Sequence, residues 1–120
     1  MTTPIHRVKA EFFKAIGHPA RVRILEELGD GERSVGDLQA AIELDSSGTS
    51  QHLAAMRRQG ILESRRAGTS VFYSVKDQRM FQLLETARQI LTAQLEEQTA
   101  LLDDLSGSNV PPAGDGKTAR

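Results

Sequence analysis

The stretch that decides the fold is residues 46–75, which read SSGTSQHLAAMRRQGILESRRAGTSVFYSV. Its first half has the periodicity of a helix, which places Thr49, Leu53 and Met56 on one stripe together with Gly60. We expect this stripe to be buried. Because glycine often follows the last turn of a helix, we expect the helix to end next to Gly60.

The second half of the same stretch predicts a β-hairpin. The period changes after Gly60, and residues 61–66 and 70–75 fit two strands joined by a glycine-containing turn. Arg65 and Arg66 lie at the end of the first strand, next to that turn. The hairpin therefore carries its positive charge near its tip.

The helix face opposite the buried stripe is small, polar and basic, without an acidic residue. A helix in the DNA major groove needs outward side chains that are short enough to reach base edges and carry no negative charge. Ser47, Ser50 and Gln51 meet these requirements, and glutamine can pair bidentately with adenine. Contacts with phosphates or the minor groove are predicted for the basic residues Arg57, Arg58, Arg65 and Arg66.

Three shorter helices are predicted before this stretch. The first covers residues 5–16, and the second opens with His18 as its N-cap and Pro19 in its first position. The third opens with Ser34 and Asp37 in the spacing of a capping box. Candidate N-caps of the fourth helix are Asp45, Ser46 and Ser47. This order predicts a winged helix-turn-helix, mainly α with a small β-hairpin.

A long helical pattern runs from about residue 77 to residue 105. Its apolar positions include Leu84, Leu91, Leu95, Leu102 and Leu105. Such a helix has more apolar surface than a small domain can cover, so we expect a homodimer joined through the first and last helices. Residues 1–105 are thus predicted to form one DNA-binding and dimerisation domain. Residues 106–120 are rich in Gly, Ser, Pro and Asp and are expected to form a disordered tail.

The composition limits the function classes that remain. The chain has 120 residues and no Cys, which excludes disulfides, thiolate nucleophiles and cysteine metal sites. It has neither an apolar run of membrane-spanning length nor a secretory signal pattern, so we expect a cytoplasmic protein without a membrane partner. The net charge of −1 hides an uneven distribution of charge. Residues 46–76 carry five basic residues and one acidic residue, whereas residues 85–105 carry one basic residue and five acidic residues.

The sequence predicts neither an enzyme nor a bound cofactor. It contains no P-loop, dinucleotide-binding glycine motif or Ser/His/Asp order. Its three histidines lack the short spacing of metal ligands, so no metal site is predicted. A metal sensor that uses His6 with carboxylates of a partner's last helix is a weaker alternative. We interpret His18 as a cap, and His52 as either a half-buried structural histidine or a phosphate contact.

Residues 13–25, FKAIGHPARVRIL, together with the segments at 50–53 (SQHL) and 60–62 (GIL), resemble the ArsR (ArsR/SmtB) family of bacterial winged-helix repressors. The resemblance covers about residues 12–75. It implies a homodimer that binds an imperfect palindromic operator and leaves it when an inducer binds. The DNA-reading positions that it implies are Ser47, Ser50, Gln51 and His52, with the wing at Arg65, Arg66, Gly68 and Thr69.

The chain departs from that family in its sensing residues. Many members bind metal through a Cys-Val-Cys-Asp-Leu stretch, where this chain has Ser34-Val35-Gly36-Asp37-Leu38; others use a histidine of the last helix, which has none here. We therefore predict a sequence-specific repressor released by a non-thiol effector. The alternative is a winged-helix module that uses the same surface to bind a protein.

Overall fold

The computed structural model describes residues 2–42 and 46–107, and describes Ser46 and Ser47 at the backbone alone. The chain divides into two compact units, Met1–Gln82 and Leu83–Arg120. The helices are α1 (Ile5–Ile16), α2 (Pro19–Glu27), α3 (Val35–Ile42), α4 (Ser46–Arg58) and α5 (Arg79–Gly107), and the strands are β1 (Arg33–Ser34), β2 (Leu62–Ala67) and β3 (Ser70–Val75). This order confirms the predicted winged helix-turn-helix.

The junction between α1 and α2 follows the predicted capping pattern. His18 is the N-cap of α2, and its Nδ1 accepts a hydrogen bond from the backbone N–H of Ala20 at 3.0 Å. Gly17 ends α1 with an ordinary negative φ, so conformational freedom is not what requires glycine there. A Cβ at this position would lie 3.1 Å from the carbonyl oxygen of Phe13, which is closer than most Cβ contacts, so a larger residue would require a small shift of the backbone.

Side-chain caps also set the starts of α3 and α5. Ser34 Oγ accepts a hydrogen bond from the N–H of Asp37 at 3.1 Å, as the capping pattern predicts. Asp77 Oδ1 accepts one from the N–H of Arg79 at 3.0 Å, so α5 begins after Asp77 rather than at it. Of the predicted caps of α4, Asp45 lies outside the described residues. Ser46 and Ser47 are described at the backbone, but their side chains are not.

The strands form a small antiparallel sheet in the order β1-β3-β2. The predicted hairpin is present as β2 and β3, and Gly68 adopts a φ of +63° in the turn between them, a conformation that favours glycine. The strand β1 was not predicted, because two residues are too few to show alternation. It pairs Ser34 with Phe72, so the sheet of the described residues has three strands instead of two.

The core of the first unit lies between α2, α3, α4 and the sheet. Its most buried apolar side chains, each 2% exposed or less, are Ile24, Leu25, Leu28, Leu38, Leu53, Met56 and Leu62. Thr49, Leu53 and Met56 are fully buried, which confirms the predicted stripe of α4. Gly60 is exposed instead, because α4 ends at Arg58 and Gly60 lies in the following turn with a φ of +79°. The buried stripe fixes which face of α4 points outward.

In the second unit, residues 83–107 continue α5 without interruption. The large apolar side chains that are 54% to 63% exposed in one chain include Ile90, Leu91, Leu95, Leu101 and Leu102. The helix includes Ser106 and Gly107, two residues that the sequence assigned to the tail, and residues 108–120 lie outside the described part of the chain. No helix among the described residues is long and apolar enough to span a membrane.

Candidate nucleic-acid interface

The outward face of α4 is the centre of the candidate interface. With Leu53 and Met56 in the core, Ser50 and Gln51 are exposed, and Arg57 and Arg58 are exposed in the last turn. The side chain of Ser47 is outside the described residues. The helix contains no carboxylate that would repel a phosphate backbone.

His52 lies to one side of this face and is half-buried. Its Nδ1 accepts a hydrogen bond from Nε of Arg21 at 3.0 Å, and its ring centroid is 4.4 Å from that of His18. Burial lowers the pKa of His52 below its ordinary value, and the electrostatic influence of His18 and Arg21 lowers it further. This geometry fits the interpretation of a half-buried histidine, and a phosphate contact from His52 stays a prediction.

The two arginines of the wing have different surroundings. Arg65 forms a two-pronged ion pair with Glu32: its Nε lies 2.9 and 3.0 Å from the two carboxylate oxygens, and Nη2 contacts the same group. Its guanidinium also lies over the ring of Phe72, 4.9 Å from the centroid. The hydrogen bond from Arg65 lowers the pKa of Glu32. Arg66, next along β2, is exposed and has no ion pair with any described carboxylate.

Charge pairing divides the predicted DNA-contacting arginines, because Arg65 is paired with a described carboxylate and the other three are not. Five arginines form ion pairs among the described residues, namely Arg23, Arg33, Arg65, Arg79 and Arg88. Arg57, Arg58 and Arg66 form none with the described carboxylates, so their charges are available to phosphates. Thr69 is exposed in the wing turn. The structure thus brings polar base-reading candidates and uncompensated cations onto α4 and the wing.

Sequence reasoning missed two residues that shape this surface. Glu32 is 33 residues away from Arg65 in the chain, and nothing local marks it as a partner. Arg21 lies within the quoted segment 13–25, but the segment alone does not show that its guanidinium reaches His52. No group of acidic or histidine side chains in the described ranges is arranged to hold a metal ion.

Together, the helix order, the outward face of α4 and the wing define a winged helix-turn-helix protein of the DNA-binding class. Residues 18–64 match the family model described as bacterial regulatory protein, arsR family.

Three similar proteins show how far this likeness extends. The uncharacterized HTH-type transcriptional regulator Rv0081 of Mycobacterium tuberculosis is 44% identical over 103 residues, which cover 85% of this chain and 90% of the relative. Its crystal structure matches with a TM-score of 0.74 at 41% identity, covering 82% of this chain and 99% of that one. The transcriptional activator HlyU of Vibrio cholerae is 39% identical over 60% of this chain and 67% of its own length.

The third is a solution structure from Mycobacterium bovis, the homodimeric winged helix-turn-helix DNA-binding domain of Mb0332, which matches with a TM-score of 0.70. Its identity is 27%, and the match covers 78% of this chain and 86% of that one.

The chain belongs to the ArsR family of bacterial transcriptional regulators. Membership favours a DNA-binding regulator over both an enzyme and a protein-binding module.

Proposed function

We propose that the protein is a homodimeric, sequence-specific regulator that places α4 of each protomer in successive major grooves of a palindromic operator. The observation that carries this proposal is the orientation of α4. Burial of Leu53 and Met56 turns Ser50 and Gln51 outward, and the exposed Arg58, which has no ion pair with a described carboxylate, lies about two turns further along the same helix. Two-fold symmetry in the protein then requires two-fold symmetry in the site that it reads.

The contacts divide by chemistry. Ser50 and Gln51, with Ser47 at the start of α4, read base edges, because their side chains are short and can donate and accept hydrogen bonds. Arg57, Arg58 and Arg66 contact phosphates, and Thr69 contacts the backbone at the wing. Arg65 contributes less in this arrangement, because Glu32 neutralises its charge.

Exposed apolar side chains on α1 and α5 support the dimer. On α1 Ile5 is 65% and Phe13 is 53% exposed, and on α5 Leu91 and Leu95 are 57% and 62% exposed. Clusters of exposed apolar side chains mark interaction surfaces. We expect Leu95→Glu to convert the dimer to a monomer in sedimentation experiments, whereas Thr92→Glu, which adds the same charge at another exposed position, leaves it dimeric. Equal behaviour of the two variants would contradict dimerisation through Leu95 of α5.

The regulator represses by occupying the promoter, and its effector acts through groups other than thiols because the chain has no Cys. The relative HlyU is named an activator, so the direction of regulation is tested directly. Deletion of the gene raises expression of a reporter under its own upstream region if the protein represses. Lower expression would show activation.

The central experiment compares Gln51→Ala with Arg66→Ala on upstream DNA and on a random duplex. Loss of a base contact costs about 1–3 kcal/mol on the specific site, so Gln51→Ala lowers the ratio of specific to random affinity. Loss of a phosphate contact weakens binding to both duplexes. Arg66→Ala therefore lowers both affinities and reduces the slope of log K against log salt by about 0.9 per protomer. An equal loss on both duplexes for Gln51→Ala would contradict base reading by this residue, and the absence of any salt-dependent binding would contradict the function itself.

A further inference from the structure

A cleft of about 390 Å³ lies where α1, the start of α2 and the end of α4 meet. Its lining includes Lys14 of α1, His18 and Arg21 at the start of α2, and Arg58 of α4, with Glu11 as the one carboxylate among the described lining residues. The volume is at the lower end of the range of small-molecule sites, about 300–1,000 Å³. The cleft thus has the size of a ligand site and a strong excess of positive groups.

Arg21 is the best-positioned cation of the cleft. It is half-buried, its Nη1 donates to the carbonyl oxygen of Ala15 at 2.9 Å, and its Nε donates to His52. Both acceptors are neutral groups, and no described carboxylate forms an ion pair with Arg21. A partly buried charge is costly unless an opposite charge compensates it. The guanidinium is therefore held in place by hydrogen bonds, while its charge has no counterion among the described residues.

The groups around Arg21 increase this positive potential. Lys14 and Arg58 have no ion pair with the described carboxylates. The start of α2 adds the partial positive charge of a helix N-terminus. The depressed pKa of His52 is a consequence of the burial and positive charge in this region.

We propose that this cleft binds a small organic anion that carries a carboxylate or phosphate group, held by Arg21, Lys14 and Arg58. The bound anion regulates the protein, because Arg58 belongs both to the cleft and to the outward face of α4. An anion that engages Arg58 removes one cation from the DNA-binding surface and weakens operator binding. This regulatory step rests on the proposed function, whereas anion binding itself does not.

The first test titrates the full chain without DNA, using inorganic phosphate and citrate as probes and sodium chloride at matched ionic strength as reference. NMR signals of the histidine rings and of Arg21 Nε report the site, and exposed His6 on α1 serves as internal control. We expect saturable shifts at His18, His52 and Arg21 with either or both probes, and none at His6. Whether phosphate, citrate or both saturate the signals identifies the preferred anionic group.

Matched variants separate the site from general charge effects. Arg58→Gln and Lys14→Gln each weaken anion binding by roughly threefold, as expected for an exposed charge contact. Arg57→Gln removes the same charge from the same turn of α4, but Arg57 lies outside the cleft lining, so this variant leaves anion binding unchanged. Arg58→Gln also abolishes the loss of operator affinity that the probe causes beyond chloride.

Two kinds of result would overturn anion binding in the cleft, and a third would overturn the regulatory step. Shifts that grow linearly without saturation, or that respond equally to Arg57→Gln and Arg58→Gln, indicate screening alone. Cleft signals that respond to operator DNA and not to either probe show that the cleft takes a DNA phosphate. Saturable anion binding that leaves operator affinity unchanged refutes the regulatory step. Failure of the protein to bind any DNA refutes the proposed function, but the anion titration still tests whether the cleft binds an anion.

Discussion

Replacing Glu32 by glutamine should make DNA binding more dependent on salt. Both oxygens of Glu32 are engaged by Arg65, so this arginine presents little net charge to a phosphate. Glu32→Gln keeps the shape of the side chain and frees the cation. Each freed phosphate contact steepens the slope of log K against log salt by about 0.9, and two protomers give about 1.8.

The slope sets the size of the measurable effect. Between 50 and 200 mM salt, an additional slope of about 1.8 makes Glu32→Gln lose roughly twelvefold more affinity than the wild type does. Fluorescence anisotropy with labelled operator measures both curves. At the low-salt end, the variant should bind more tightly than the wild type.

A matched control tests whether Arg65 carries the change. Glu63→Gln removes the same charge from β2, where Glu63 is exposed and forms no ion pair with a described cation, and it should leave the slope nearly unchanged. Arg65→Gln in the Glu32→Gln background should return the slope to its original value. A slope equal to that of Glu63→Gln would refute the reasoning, and weaker binding at all salt concentrations would show that Glu32 positions the wing instead.

Three further predictions concern the body that holds α4. Leu53→Ala should lower the free energy of unfolding by about 3 kcal/mol in urea titrations, because Leu53 is fully buried; a loss below about 1 kcal/mol would contradict its place in the core. His18→Ala should lower the free energy of unfolding by about 1 kcal/mol through loss of the α2 cap, and His18→Asn should recover most of this loss. An equal loss in the two variants would show that the cap is not what stabilises the junction. The folded-state pKa of His52 lies below its ordinary value of 6.5, so the unfolded chain binds more protons and stability should fall as the pH drops below 6.5. Unfolding curves of His52→Gln should show a weaker fall over the same range, and an unchanged profile would exclude His52 as its source.

Local patterns predict the elements of this fold well. The buried stripe of α4, the capping serine of α3 and the glycine turn of the wing each depend on a few neighbouring residues. For that reason the sequence predicts them, with errors of only a residue or two at the ends of the helices. The face of α4 that points outward follows directly from Leu53 and Met56 in the core.

Contacts between distant residues could not be predicted in the same way. Glu32 reaches Arg65 only because β1 pairs with β3, and a two-residue strand leaves no periodic signal. The approach of Arg21 to His52 likewise depends on the packing of α2 against α4. The contact between Glu32 and Arg65 decides how much positive charge the wing offers to DNA, and the contact between Arg21 and His52 helps to position the cationic cleft. The sequence therefore predicted where the candidate site lies, but not how its charges are compensated.

The exposed leucines of α5 have a consequence for the response of the proposed regulator to its own abundance. If folded protomers associate through these side chains before they reach the operator, the concentration of the binding species rises with the square of the chain concentration at low levels. Halving the amount of protein then lowers operator occupancy up to fourfold. The exposed leucines of α5 thereby make operator occupancy depend more steeply on the amount of protein than it would for a monomeric regulator.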